Sequence, residues 1–181
     1  MNTHRTAIAI VTAALLAGCA DFKEQAARPP QTATASRSDA DSMMAARGYD
    51  GIDLYKTGTG HIVATITVNG KDCLFLVDTG GGATVIDRRK QRRFNLTPTA
   101  TGDYAAGIGS REALARTRAT FTICGQEVEV DDLYMMDISY VNDEFRRHRA
   151  TPVHGVLGTD FLERHSAVID YAKCRLYLRL R

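Results

Sequence analysis

The chain has 181 residues, an apolar content of 44% and a formal net charge of +2 at pH 7. This length suits one domain of ordinary size with additional segments, and the apolar content is that of a globular protein. The nearly balanced charge gives no support for a nucleic-acid-binding protein, which would be expected to carry a basic excess.

The first 18 residues have the pattern of an export signal. A short basic start precedes residues 7–16, an apolar run that is too short to span a bilayer as a mature helix. The letters LAGC then end at Cys19 and resemble a bacterial lipobox, which implies that Cys19 becomes the lipidated N-terminus of a membrane-attached protein. A plain secretory signal with an incidental cysteine is the alternative, but the small residues directly before Cys19 favour the lipoprotein. Ala20, where an aspartate would favour the inner membrane, favours the outer membrane of a bacterial envelope, facing the periplasm.

Residues 19–47 are predicted to form a disordered tether behind the lipid. They are rich in Ala, Thr, Ser, Arg and Asp, and no apolar periodicity runs through them. A short helical turn at residues 42–46 is the one element expected there. A flexible chain of this length reaches roughly 30 Å, so the tether would give the folded domain at residues 48–181 some freedom above the membrane.

Strands dominate the folded domain. Residues 61–68 alternate around β-branched side chains, Asn69-Gly70 is a strong hairpin signal, and residues 71–77 form the return strand. The segments from 87 to 134 are predicted, in chain order, as a short exposed basic helix at 87–93, two strands within 99–122 and a strand at 127–134. An irregular polar surface loop that could include one helical turn follows at 135–152. The chain then continues with a strand at 153–157, a short helix at 159–165 and a closing hairpin of strands at 167–170 and 175–180.

An acid stands at the end of the return strand, in the segment FLVDTGGGATVI at residues 75–86. The pattern predicts a buried strand, a tight loop and a second strand. Asp78 is the one ionisable residue of the loop, and a carboxylate at the end of an apolar run needs hydrogen-bond partners. The three glycines at 80–82 can adopt positive φ and turn backbone amides toward it. Taken alone, a structural acid that caps the loop would also explain Asp78.

Two blocks of this sequence resemble the retropepsin-like aspartic proteases, the group that includes the retroviral enzymes. The first block is LVDTG at residues 76–80 with TVI at 84–86, and the second is GVLGTDFL at 155–162 followed by VIDY at 168–171. Both occur in the order of the family, between about residue 61 and the C-terminus. The resemblance implies an all-β, retropepsin-like acid protease fold, a small closed β-barrel-like domain with one or two short helices that forms a homodimer.

The resemblance also implies a role for each residue of the loop. Asp78 would be the catalytic acid, Thr79 would hydrogen-bond across the dimer axis, and the Gly80 amide would support the carboxylate. Gly81 and Gly82 would take positions that hold the substrate backbone in relatives, although the family usually has Ala and then Ser or Asp there. This departure keeps open an alternative function, an inactive lipoprotein that acts as a binding or scaffolding module.

A second substrate-binding segment is implied by the glycine-rich tip Gly107-Ile108-Gly109. In retropepsin-like relatives, a glycine-rich hairpin in this part of the chain is the flap that closes over the substrate. The same residues would equally suit an ordinary turn between two strands.

The mechanism of an aspartic protease would require a second copy of this chain. Aspartic proteolysis needs two carboxylates that share one proton around a water molecule. Because the chain has one Asp-Thr-Gly, two copies of Asp78 must meet across a two-fold axis, in a homodimer. Relatives interleave their terminal strands across that interface. The predicted function is therefore an aspartic endopeptidase that hydrolyses peptide bonds in cell-envelope proteins or peptides, with no cofactor and no nucleic-acid partner.

Cysteines and histidines give no support for other chemistries. Besides Cys19, the chain has three cysteines, which allow one disulfide in an exported protein without indicating which pair forms it: Cys73, Cys124 and Cys174. No Cys-x-x-Cys occurs and no histidines stand at metal-ligand spacing, so no metal is predicted. No cysteine lies at a helix start beside a base, as a cysteine protease would need. The glycine run lacks the Gly-Lys-Ser/Thr of a phosphate-binding loop.

Overall fold

The structure, a computed structural model, describes residues 8–9, 39–107 and 110–181. Cys19 and most of the predicted signal and tether lie outside these residues. In chain order the elements are β1 (Ile8–Ala9), α1 (Asp39–Ala46), β2 (Asp50–Lys56), β3 (Ile62–Val68), β4 (Lys71–Val77), β5 (Val85–Asp87), a 3-10 turn (Arg88–Lys90), β6 (Thr99–Gly107), β7 (Ser110–Ile123), β8 (Gln126–Met136), α2 (Ser139–Arg147), β9 (Gly155–Leu157), α3 (Thr159–Arg164), β10 (Val168–Asp170) and β11 (Arg175–Leu178). Within the described ranges, no helix has the length and apolar character needed to cross a membrane.

Six of the strands close into a barrel. They follow the order β7-β8-β5-β9-β4-β3, and β3 pairs in turn with β7, at Thr67↔Thr122 and Val68↔Phe121. β9 is parallel to β4 and antiparallel to β5. The second sequence block is thereby inserted between the two strands that flank Asp78. The predicted all-β closed barrel is confirmed.

The β3–β4 hairpin shows how the sequence builds the core. Asn69 and Gly70 both have positive φ, at 46° and 77°, as a tight two-residue turn between antiparallel strands requires. Successive side chains point to opposite faces, so Phe75 joins the larger of two hydrophobic clusters and Leu76 joins the other. The Phe75 ring packs 5.5 Å from the Phe121 ring inside the barrel.

Helix α2 occupies a segment that the sequence predicted as an irregular polar loop. Its residues Val141 and Phe145, one turn apart, are buried in the same cluster as Leu76. Asn142 is also buried and makes two hydrogen bonds with the Val153 backbone, at 2.8 and 3.0 Å. Only two apolar side chains anchor the helix within a run of charged residues, so the pattern was too sparse to be recognised.

Helix α1 and the outer strands flank the barrel. Helix α1 contains the short turn expected at residues 42–46 but is longer, and it is packed on the domain rather than part of a disordered tether. Met44 is buried, and Asp41 accepts hydrogen bonds from the Tyr177 hydroxyl at 2.8 Å and the Arg175 Nε at 3.3 Å. β11 pairs with β2 on one side and β10 on the other. Both edges of β11 are therefore filled within the chain, whereas the resemblance suggested that terminal strands pair with a second copy.

Candidate active site

The loop at residues 78–84 joins the end of β4 to the start of β5. The Asp78 N–H donates to the Leu157 carbonyl at 3.1 Å, so the parallel pairing of β4 with β9 continues as far as the acid. The Asp78 Oδ1 accepts the Gly80 N–H at 2.9 Å, and the Asp78 carbonyl accepts the Gly81 N–H at 3.2 Å. Asp78 is half-buried, with exposed Thr79 and Gly80 beside it. The carboxylate is thus held in place at a strand end that remains open to solvent.

Space rather than backbone handedness constrains one glycine of this loop. None of Gly80, Gly81 and Gly82 has a positive φ, so the expectation that they use this conformation to turn amides toward Asp78 is wrong. Gly81 is buried, and a Cβ at this position would lie 3.3 Å from the Asp78 Oδ2, a tight contact that the carboxylate would have to relieve by a few tenths of an ångström. Gly82 is exposed.

The second sequence block holds the loop from behind. The Thr159 N–H and hydroxyl both donate to the Gly81 carbonyl, at 2.7 and 3.1 Å. The Asp160 carboxylate accepts the Thr84 N–H at 2.9 Å and the Thr84 hydroxyl at 2.7 Å. The Thr84 Oγ1 in turn accepts the Gly158 N–H at 3.1 Å. These contacts form a clamp, composed of Thr84, Gly158, Thr159 and Asp160, that fixes both ends of the Asp78 loop.

Close packing explains the glycine of the clamp. A Cβ on Gly158 would lie 2.4 Å from the Ala83 carbonyl carbon and 2.9 Å from the Gly81 oxygen. Sequence reasoning paired the two blocks through the family resemblance but did not assign Thr84 or Asp160 a role. The sequence does contain a hydroxyl residue, Thr84, two residues after the glycines of the first block. It also contains an acid, Asp160, two residues after Gly158 in the second block.

The predicted flap is a hairpin. β6 ends at Gly107, β7 begins at Ser110, and these two residues pair in register. Ile108 and Gly109 lie outside the described residues. The two strands around a glycine-rich tip are confirmed, while the role of Gly107, Ile108 and Gly109 in substrate binding stays a prediction.

Two of the three described cysteines lie where burial opposes ionisation of the thiol. Cys73 is buried, Cys124 is exposed and Cys174 is half-buried, and these three thiols are free. Burial is the main cause that raises the pKa of both the Cys73 and Cys124 thiols, which opposes thiolate formation. In the part of the chain that the structure describes, no three His, Cys, Asp or Glu side chains are grouped to hold a metal ion.

Comparison with known proteins fits this geometry. A family model described as aspartyl protease matches residues 64–161, which is more than half of the chain and runs from within β3 to within α3. The matched span includes both the Asp78 loop and the clamp. The chain belongs to the aspartyl protease family. A search of curated proteins found no match.

Solved structures of similar proteins come from a virus, a bacterium and a protozoan. The EIAV protease in complex with the inhibitor HBY-793 is 20% identical, with 56% of this chain and 85% of that chain covered and a TM-score of 0.44. A retropepsin-like aspartic protease from Rickettsia conorii is 19% identical, with 72% and 90% covered and a TM-score of 0.47. The retroviral protease-like domain of Ddi1 from Leishmania major is 16% identical, with 60% and 80% covered and a TM-score of 0.42.

Proposed function

We propose that the chain is an aspartic endopeptidase of the retropepsin-like type, which cleaves peptide bonds with a water activated between two Asp78 carboxylates. The observation that carries the proposal is the placement of Asp78. Its carboxylate stands half-exposed at the end of β4, is oriented by the Gly80 N–H at 2.9 Å, and lies in a loop clamped by the second sequence block. A purely structural acid would not need an open side facing solvent.

The second carboxylate would come from a second copy of the chain. Asp160 accepts hydrogen bonds from Thr84 and from the Phe161 N–H, and Asp170 accepts the Lys173 N–H. These acids support the fold. Two Asp78 loops facing each other across a two-fold axis would provide the required pair, with exposed Thr79 and Gly80 at the contact.

The pair would act as one acid and one base. Two carboxylates in contact share a single proton because both cannot be charged at moderate cost. The ionised member takes a proton from water as the water oxygen bonds to the scissile carbonyl carbon. The protonated member gives its proton to the carbonyl oxygen, which forms a tetrahedral diol. As the C–N bond breaks, the member that took the water proton passes it to the amide nitrogen, and the other member takes a proton back from the diol. The clamp holds the Asp78 backbone in place, which keeps the carboxylates aligned for each step.

The surroundings of the pair would bind the substrate. Gly81 and Gly82 lie directly after the Asp78-Thr79-Gly80 segment, and the β6–β7 hairpin ends in Gly107, Ile108 and Gly109. We propose that the loop glycines and the hairpin tip flank an extended peptide, with the open surface at Gly82 admitting its backbone.

The predicted lipidation at Cys19 would place this activity in a bacterial envelope. A lipid-anchored protease on the periplasmic side of the outer membrane would meet envelope proteins or peptides as substrates. Many copies on one membrane would also favour dimer formation by raising the local concentration.

A paired incubation tests the proposal. The chain from residue 20, which keeps α1, and its Asp78→Asn variant are each mixed with a peptide library from acid to neutral pH, and the products are identified by mass spectrometry. Cleavage by the unmodified chain and none by the folded variant supports the aspartic mechanism. Equal cleavage by both would reject the role of Asp78. A folded monomer that cleaves nothing would instead indicate a binding or scaffolding module.

A further inference from the structure

One end of the barrel carries cations that the catalytic proposal does not use. After β5, residues 88–93 have the sequence RRKQRR. The structure does not form the exposed helix predicted at 87–93: Asp87 is fully buried, and only Arg88–Lys90 form a 3-10 turn. The Asp87 carboxylate holds the Arg89 guanidinium at 2.7 Å, which neutralises that one cation.

The cations that follow are fixed to the tip of the β3–β4 hairpin. Phe94 is buried, and its carbonyl accepts the Asn69 Nδ2 at 2.8 Å. The Arg93 guanidinium lies 5.4 Å from the centre of the Phe94 ring and donates to the Asp72 carbonyl at 3.3 Å. The group named the basic end here consists of Lys71, Lys90, Arg92 and Arg93. Lys90 is half-buried and the other three are exposed, so their charges face solvent on an anchored surface.

Asp78 lies at the opposite end of the same strands. β3 and β4 pair Val68 with Lys71 next to the hairpin and Val63 with Leu76 at the far end. A strand of seven residues is about 23 Å long, so the basic end and the catalytic loop are separated by roughly this distance. A peptide held at Asp78 would not need these cations, which argues against an acidic substrate as their partner.

The start of β2 does not lie at the hairpin tip. β2 pairs with β3 only at Leu54–Lys56, and β7 occupies the β3 edge at Thr67 and Val68. The start of β2 instead contacts the β7–β8 turn, where the Gly51 carbonyl accepts the Cys124 thiol. The end that faces the membrane is therefore assigned from the charge of the basic end, in a chain whose predicted lipid at Cys19 brings it to that surface.

We propose that the basic end docks on the anionic phospholipid headgroups of the membrane to which the chain is anchored. Clustered Lys and Arg side chains are attracted to anionic lipid surfaces, and one lipid chain gains stable attachment from such a second signal. Docking in this orientation turns the Asp78 end away from the membrane, toward periplasmic substrates. The proposal uses the predicted tether and does not depend on catalysis.

Vesicle binding without the lipid tests the proposal. The chain from residue 20 is used because it keeps α1, whose Met44 is buried and whose Asp41 accepts hydrogen bonds from Arg175 and Tyr177 of β11. It is mixed with vesicles of phosphatidylcholine alone or with added phosphatidylglycerol and separated by flotation. We expect binding to the anionic vesicles only, weakened by salt, and weakened roughly ten-fold or more in Arg92→Gln/Arg93→Gln.

A matched variant controls for net charge. Lys56 is the last residue of β2 and lies at the end of the strands opposite the basic end. Lys173 lies beside it, in the β10–β11 turn. Lys56→Gln/Lys173→Gln removes the same two charges and should leave vesicle binding almost unchanged. Since Arg93 has contacts with Phe94 and Asp72, Lys71→Gln/Lys90→Gln serves as a second test if the arginine variant fails to fold.

Lysine acetylation reports the orientation directly. The described domain has four lysines, two at each end of these strands: Lys71 and Lys90 at the basic end, Lys56 and Lys173 at the other. On anionic vesicles, the first pair should be protected from acetylation and the second pair should stay reactive, as read by mass spectrometry. Absence of binding to anionic vesicles at low salt, equal loss of binding in both double variants, or equal protection of all four lysines would overturn the proposal.

Discussion

Asp78 depends on glycines that are distant in sequence but close in space. Gly158 stands where a Cβ would meet the Ala83 backbone at 2.4 Å and the Gly81 carbonyl at 2.9 Å, and its N–H donates to Thr84. Backbone atoms cannot move aside as the end of a flexible side chain can. The geometry of the Asp78 loop is therefore sensitive to a single methyl group on the second block.

Gly158→Ala is predicted to damage both stability and activity. The added methyl must push the 81–83 backbone away, which we expect to cost about 3 kcal/mol in the free energy of unfolding. A shift of the loop by a fraction of an ångström misaligns Asp78 and should reduce peptide cleavage roughly 100-fold. Urea unfolding and a cleavage assay measure the two effects.

Gly58→Ala is the matched control for this substitution. A Cβ at Gly58 would have its nearest contact, the His148 carbonyl, at 4.0 Å, and Gly58 has no positive φ. The free energy of unfolding should be unchanged or higher by up to about 1 kcal/mol, because alanine reduces the conformational entropy of the unfolded chain. Equal destabilisation by both substitutions would contradict the close packing at Gly158.

His154 is predicted to make the fold sensitive to acid. Its Nδ1 accepts the Leu74 N–H at 2.9 Å, which requires the neutral ring at that nitrogen. Burial, followed by the charges of Arg93 and Lys90, lowers the pKa of His154 from its ordinary value of 6.5. Because the folded-state pKa is the lower one, the stability from this residue is present above the unfolded-state pKa and is lost as pH falls through the folded-state pKa.

Comparison with His154→Gln isolates this contribution. Glutamine does not titrate. The free energy of unfolding of the variant should therefore fall less between about pH 8 and about pH 5 than that of the unmodified chain. Chemical denaturation at several pH values gives both curves. Parallel curves would show that His154 is not the group responsible.

At the scale of elements, the sequence predicted the strands better than the helices. The turn at Asn69-Gly70 and the apolar run that ends at Asp78 are local signals, and both were correct. Helix α2 escaped prediction because only Val141 and Phe145 mark its buried face. Helix α1 was predicted only as a turn at residues 42–46, because its partners, Arg175 and Tyr177, lie at the far end of the chain.

Local sequence signals were also insufficient to predict the contacts between distant residues around the candidate site. Asp78, Thr79 and Gly80 were assigned as candidate site residues from a contiguous motif, and the structure places them together at the end of β4, while their catalytic roles stay predictions. The clamp from Asp160 to Thr84 spans 76 residues and exists only because β9 is inserted between β4 and β5. No local pattern specifies a hydrogen bond of this kind, so its assignment required the fold.

Asp41→Ala is predicted to loosen α1 without unfolding the barrel. Asp41 is the acceptor for the Tyr177 hydroxyl and the Arg175 Nε, and its loss leaves both donors without that partner, at a cost of about 1–3 kcal/mol. Hydrogen exchange should accelerate in residues 39–46 and change little in β3 and β4. Asp39→Ala, at an exposed position of the same helix, should leave the exchange pattern almost unchanged.

At the scale of the whole molecule, one copy of the barrel supplies one of the two carboxylates in the proposed catalytic pair. In one copy, β2 and β11 each have neighbours on both sides, whereas β10 is the strand at the end of the sheet. Val168 and Tyr171, beside that edge, are 42% and 65% exposed. A second copy would therefore have to approach surfaces other than the edges of β11.

Subunit mixing is predicted to reveal whether two copies share one site. When unmodified chain and Asp78→Asn chain are present in equal amounts and exchange freely, random pairing leaves about one quarter of the dimers with two carboxylates. Cleavage per unmodified chain should then fall to about one half, since every mixed dimer lacks one member of the acid pair. The rate of peptide cleavage is measured as the variant is titrated in, with Gly58→Ala titrated in the same way as an active control. A rate that does not change as Asp78→Asn is added, in a mixture shown by mass spectrometry to contain mixed dimers, would mean that each copy works alone and that the second carboxylate lies in the same chain.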